Sequence, residues 1–195
     1  LLTAPSFRPD IQCEADLAEE VARFYDYNNI QATLLQGRAS TFGKKTYSQK
    51  MDDFIKQQML SSGLYETYTY SFTSPKVFDR LNLPADHELR DVVVISNPLG
   101  EDFSIMRTTT IPEMLQVIRT NYSRKVDEGR FFEMSYVYRP VKGELLPEEK
   151  RTLTIGLYGN ADFYLLKGIV EQLLSQLNIQ GADYSPVTDH PAFHP

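Results

Sequence analysis

The chain has 195 residues, with 20 Lys and Arg against 26 Asp and Glu for a formal net charge of −6. Hydrophobic residues make up 42% and there are ten glycines, the apolar share of a globular domain, which excludes wholesale disorder. The acidic balance excludes a generic polyanion-binding surface, because non-specific nucleic-acid affinity comes from Lys and Arg neutralising phosphates. A single cysteine, Cys13, rules out an internal disulfide, and no Cys/His cluster has zinc-ligand spacing. No apolar run approaches the ~20 residues a membrane helix needs, so a soluble protein in a reducing, cytoplasmic compartment is expected. The chain opens on Leu1-Leu2 without Met and stops at His194-Pro195, so it reads as a piece of a longer polypeptide.

Asp16 to Tyr27 reads as an amphipathic helix, with Leu17, Val21 and Phe24 at helical spacing and acidic residues in its first turn. The next stretch has no sustained period and is taken as a linker over 31–45. Tyr47 to Ser62 repeats the helical pattern through Met51, Phe54, Ile55 and Met59, and Gly63 sits where a left-handed cap is expected. Leu64 to Phe72 is dense in Tyr and Thr and predicts a strand, with Tyr68, Tyr70 and Phe72 on one face. Ser74-Pro75 opens a short helix to Leu81, and Arg90 to Ser96 predicts a buried strand closed by Asn97-Pro98-Leu99-Gly100. A helix from Ile111, strands over Arg130–Arg139 and Arg151–Tyr158, and a helix over Phe163–Leu177 complete the order. Two strands joined by a short loop imply antiparallel pairing, so the expected class is α+β.

The strongest chemical cluster is Asp10, Asp16, Glu19 and Glu20. Positions 16, 19 and 20 share one helical face, and Asp10 lies just upstream. Hard carboxylate oxygens suit Mg²⁺, while acidic residues in a first helical turn also serve simply as partners of the helix dipole. No glycine-rich phosphate loop occurs, and His87, His190 and His194 have no neighbouring nucleophile motif. Arg119, Arg124, Lys125 and Arg130 are the nearest thing to a basic patch, and they read as a solvated helix end. The twelve Tyr and eleven Phe, without Trp, mean mainly an aromatic-rich core.

The run Pro5-Ser6-Phe7-Arg8-Pro9-Asp10-Ile11, followed by Glu14 through Tyr25, resembles the end of the B5 domain in the β-subunit family of bacterial phenylalanyl-tRNA synthetases, with Asp26 where that family has glycine. The resemblance continues through Gly63-Leu64-Tyr65-Glu66, Tyr70-Ser71-Phe72-Thr73-Ser74-Pro75, Asn97 through Thr108, Phe131-Phe132-Glu133 and Asp162 through Gly168. It implies the C-terminal end of a B5 domain over 1–30, the linker, and over 46–195 a truncated catalytic-like domain. That domain would have the class II aminoacyl-tRNA synthetase fold, an antiparallel sheet flanked by helices.

In that family the enzyme is an (αβ)₂ heterotetramer that uses ATP and Mg²⁺ to charge tRNA(Phe) with phenylalanine. The α subunit holds the active site and the ATP, and the β copy packs against it. The resemblance also assigns Asp10, Asp16, Glu19 and Glu20 as β-side ligands of a Mg²⁺ shared with α. No catalytic residue is expected here. A working class II site needs Arg-x-Glu/Asp after its motif 2 strand, and Arg139 is followed by Pro140-Val141. The alternatives are a winged-helix-like nucleic-acid-binding scaffold, from the B5 piece, and a stand-alone Mg²⁺ enzyme on the acidic helix, for which no base, nucleophile or pocket is in view.

Overall fold

The computed structural model describes residues 3–34, 37 and 43–193. Part of the expected linker, at 35, 36 and 38–42, and His194 lie outside them. The chain divides into two compact units, Leu1–Lys44 and Lys45–Pro195.

The first unit is built on helix α1, Glu14–Tyr25, followed by a 3-10 turn at Tyr27–Asn29. The helix starts two residues earlier than its apolar pattern suggests, because Asp16 in its first turn accepts from the free backbone N–H groups of Gln12 (2.7 Å) and Cys13 (2.8 Å). It ends at Asp26, whose φ of 73° lies in the region that favours glycine. The expected apolar stripe is present but uncovered: no residue of α1 is buried, and Phe24 is 81% exposed.

The second unit opens with α2, Tyr47–Ser61, capped reciprocally by Thr46 and Gln49 and stopped at Gly63, which has φ 81°. Two short strands follow, β1 at Tyr65–Glu66 and β2 at Phe72–Thr73, then helix α3, Lys76–Arg80, and strand β3, Ile105–Met106. Helix α4 (Ile111–Ser123), strands β4 (Gly129–Arg139) and β5 (Glu148–Tyr158), and helix α5 (Phe163–Gln176) complete it.

The main sheet has the order β1-β4-β5. Strands β4 and β5 form a long antiparallel hairpin in register from Gly129↔Tyr158 to Arg139↔Glu148. The edge strand β1 is parallel to β4, so the sheet is mixed; β1 returns to β4 through the excursion that carries α3, β3 and α4, a crossover long enough for parallel pairing. A separate antiparallel pair joins β2 to β3.

Two expected strands are corrected. Leu64–Phe72 pairs only at its ends, because its middle turns away from β4 after Thr67, whose N–H donates to the Phe132 carbonyl (2.8 Å). Arg90–Ser96 makes one isolated bridge, Val94 to Ile105, and Val94 is 70% exposed. Its run of Val and Ile has no neighbouring strand long enough to pair with.

Alternation along β4 sorts the core. Phe132 and Met134 point to the side where Met59 of α2 and Ile169 and Leu173 of α5 pack, each large side chain contributing roughly 1.5–3 kcal/mol by its burial. The opposite side receives α4, which comes so close to Gly156 of β5 that a Cβ there would lie 2.7 Å from Met114 Cγ and Sδ. A second cluster joins Val77, Phe78, Leu81, Leu83 and Ile105.

Candidate functional site

The four acidic residues singled out by spacing are all in the first unit, and the structure gives them different jobs. Arg8 lies between two of them: its Nε and Nη2 donate to Asp10 (3.0 and 2.7 Å) and the same Nη2 donates to Glu20 (2.7 Å). Glu20 also accepts from Arg23 Nη2 at 2.6 Å. Asp16 faces backbone, as the cap of α1, and Glu19 is exposed on the same helix.

The electrostatics follow from these partners. Hydrogen bonds from Arg8 and then Arg23 pull the Glu20 carboxyl down to about 2, and Arg8 likewise holds Asp10 below the usual carboxylate range. The backbone N–H groups of Gln12 and Cys13 lower Asp16. Between its two carboxylates the Arg8 guanidinium is held protonated more firmly than a free arginine. All four acids offer hard carboxylate oxygens, the chemistry Mg²⁺ takes. Among the described residues no three His, Cys, Asp or Glu side chains converge on one point. The point on which Asp10 and Glu20 do converge is held by a cationic side chain of the same chain.

The second unit contains a site that sequence reasoning did not single out. Arg107, just past β3, and Glu133, in β4, are each 1% exposed. Arg107 Nη1 reaches Glu133 Oε1 (3.2 Å), Thr69 Oγ1 (2.8 Å) and the Tyr70 carbonyl (3.2 Å), while its Nε reaches the Tyr136 carbonyl (2.9 Å). The Thr69 hydroxyl donates on to both Glu133 oxygens (2.9 and 2.8 Å). Backbone bonds complete the knot: Arg107 N–H donates to Ser71 and Tyr138 N–H donates to Arg107. One guanidinium thus ties together the segment after β1, the end of β3 and strand β4. The available signal was a charge inside strand-like runs, at Met106-Arg107 and Phe132-Glu133, because a buried charge demands a partner.

A hollow of about 410 Å³ is lined by Thr108, Thr109, Thr110, Arg139, Lys150 and Thr152 among others. The Thr110 and Thr154 hydroxyls bond to one another, and Arg139 stands opposite Glu148 across the hairpin. Arg151 at the rim is committed elsewhere, to Asp52 (3.0 Å) and the Tyr136 hydroxyl (2.8 Å). His87 accepts from the Leu89 N–H and His190 from the Ala192 N–H, so both serve local turns.

The chain matches the family model of the phenylalanyl tRNA synthetase beta chain CLM domain over residues 30–195, and that of the tRNA synthetase B5 domain over residues 1–27. It is 47% identical over 195 residues to the phenylalanine–tRNA ligase beta subunit of Clostridium tetani, covering 100% of this chain and 24% of that protein. It is 44% identical to the one from Clostridium acetobutylicum, over 98% of this chain and 24% of the relative. The chain therefore spans about a quarter of the length of the curated relatives it matches. Two structures of pyrrolysyl-tRNA synthetase from Desulfitobacterium hafniense share its fold, with TM-scores of 0.56 and 0.58 at 16% and 15% identity, each over 72% of this chain and 50% of the other.

Proposed function

The chain belongs to the phenylalanyl-tRNA synthetase β-chain family, and from that premise we propose that it acts as a non-catalytic assembly segment of a phenylalanine–tRNA ligase. The observation that carries the reading is the family match along the whole chain on a class II synthetase-like α+β fold. In the proposed assembly, an (αβ)₂ heterotetramer working in the cytoplasm, the α subunit binds ATP and charges tRNA(Phe). This chain supplies surface rather than chemistry. Arg139 has no acidic residue two positions on, so the charge partner of a phosphate-holding arginine is missing. Tyr47, Leu60 and Tyr65 stand exposed on α2 and β1, apolar side chains left open for the α subunit to cover. Among the described residues no helix is long and apolar enough to cross a membrane.

Mg²⁺ enters the proposal only at the assembly level. Asp10, Asp16, Glu19 and Glu20 are the proposed donors, Arg8 competes for two of them, and the partner subunit completes the set. Bound there, the ion would neutralise carboxylate repulsion at a subunit boundary. Coexpression with a phenylalanyl-tRNA synthetase α subunit, followed by pull-down with and without Mg²⁺, tests partner and metal together. Capture that weakens on metal removal supports both; absence of capture overturns the assembly role. Line broadening of the Glu19 and Glu20 signals by Mn²⁺ in the assembled protein reads the site without any activity. The purified chain alone is expected to support no phenylalanine-dependent pyrophosphate exchange.

A further inference from the structure

Phe132 and Met134 turn one face of the β4–β5 hairpin toward α2 and α5, so Val137 and Arg139, one step out of phase on the same strand, belong to the other face. The register sets Lys150 opposite Val137 and Thr152 opposite Ser135, which brings Lys150 and Thr152 to that second face as well. There the hollow of about 410 Å³ opens at the head of α4, beside Thr109 and Thr110. Its volume falls in the range of small-molecule sites, roughly 300–1,000 Å³. The hollow lies across the sheet from α2.

It is also cationic, in a chain of net charge −6. Arg139, Lys150 and Arg151 line it and no acidic side chain does. Arg151 is held by Asp52 at 3.0 Å. Among the described residues the exposed Arg139 and Lys150 make no ion pair, although Glu148 stands opposite Arg139 outside the hollow. As diagonal neighbours on antiparallel strands they sit about 7–8 Å apart, near enough for two long side chains to close on one group. The Thr109 hydroxyl accepts from the Ile111 N–H (3.4 Å) and keeps its own proton to donate.

The geometry points to a binding site for a small phosphate monoester, with Arg139 and Lys150 closing on the phosphate dianion and Thr109 donating to it. Two unpaired cations match two negative charges, where a carboxylate or a phosphodiester brings only one. The planar fork of Arg139 suits two phosphate oxygens at once, and Lys150 adds a point charge. Thr108 and Thr110 are already bonded, to the Leu89 carbonyl and to Thr154, and serve as walls. No histidine or carboxylate lines the hollow to act as a general base, so the site binds without reacting. The inference goes beyond the assembly role and stands whether or not an α subunit is captured.

Methyl phosphate is the probe, titrated into the full-length protein in its natural assembly, with the Leu and Val methyls of this chain labelled for NMR. Saturable shifts at Leu89 and Val137, which line the hollow, are expected with a Kd of about 1 mM or tighter. Reading these methyls separates the hollow from any other phosphate site in the assembly. Arg139→Met and Lys150→Met keep the aliphatic stems and should each weaken binding at least ~10-fold. Arg124→Met changes the net charge equally at the far end of the 13-residue α4, roughly 20 Å away. At about 0.1 M salt that exceeds the ~10 Å screening length, so binding should be unaltered. Dimethyl phosphate, with a single charge, should bind at least ~10-fold more weakly. Affinity for methyl phosphate should rise with pH through about 6, where its second proton leaves, and then level off. Equal affinity for dimethyl phosphate overturns the proposal, as does a loss with Arg124→Met as large as with Arg139→Met. So does an absence of shifts at Leu89 and Val137.

Discussion

Arg107 and Glu133 are joined by a salt bridge of 3.2 Å with both side chains only 2% exposed, and they come from elements 26 residues apart in the chain. Two buried charges are costly unless their remaining hydrogen-bonding capacity is filled, and here Thr69 and the carbonyls of Tyr70 and Tyr136 fill it. Arg107→Met should therefore cost about 3–5 kcal/mol, because it leaves Glu133 buried without its cation. The double variant Arg107→Met with Glu133→Leu removes both charges and should recover much of that loss. Urea denaturation of the four members of the cycle measures the coupling; a double variant as unstable as the single one would contradict this account.

Glu113 gives a pH prediction of the opposite sense to a surface carboxylate. Desolvation raises its folded-state value above the unfolded one, with smaller influences from Thr73, Arg107 and Glu133. The folded state then holds a proton that the unfolded state has lost. Stability from this group falls as pH rises from the ordinary carboxylate range through the raised value, and stays low above it. Glu113→Gln mimics the protonated form, so its denaturation midpoint should exceed that of the parent at neutral pH and converge on it in acid.

Helices α1, α2, α4 and α5 and the β4–β5 hairpin were legible in the sequence because each carries its own period and its own stop signal, such as Gly63 after α2. The parallel pairing of the edge strand was not, since β1 owes its place to a partner 66 residues away rather than to local pattern. Val92 to Ile95 misled for the same reason: β-branched residues announce fitness for a sheet, not the presence of a neighbour. At the acidic cluster, spacing put three carboxylates on one helical face but was blind to Arg8, which binds two of the four acids from outside the helix.

Arg8 can be tested by titration. Glu20 is held at about 2 by Arg8 and Arg23, so it should ionise in NMR well below the ordinary carboxylate range, and Arg8→Gln should move its midpoint upward toward the ordinary value near ~4.3. The lowered value means that the pairing stabilises the fold above the unfolded carboxyl range and is lost as pH falls through about 2. If Arg8 is also what excludes a divalent ion from Asp10 and Glu20, Arg8→Gln should tighten Mn²⁺ binding to the chain. A Glu20 midpoint unaltered by the substitution would show that the two do not interact in solution.

Asp26 supplies the last prediction. With φ 73° and ψ 119° it has a backbone conformation that a Cβ disfavours, at the position where the β-chain pattern has glycine. Its compensation is local: Asp26 Oδ1 accepts from the Asn28 N–H and from Asn28 Nδ2, both at 3.0 Å, which holds the 3-10 turn after α1. Asp26→Gly removes the steric penalty, of order 1–3 kcal/mol for a strained residue, and loses a solvent-exposed capping bond of about 0.5–1.5 kcal/mol. The net expectation is a modest stabilisation of α1, read as slower amide exchange from Ala22 to Tyr25. Asp26→Ala, which keeps the Cβ and loses the cap, should instead speed exchange at the same amides. If both substitutions act in the same direction, the cap rather than the backbone strain governs the end of this helix.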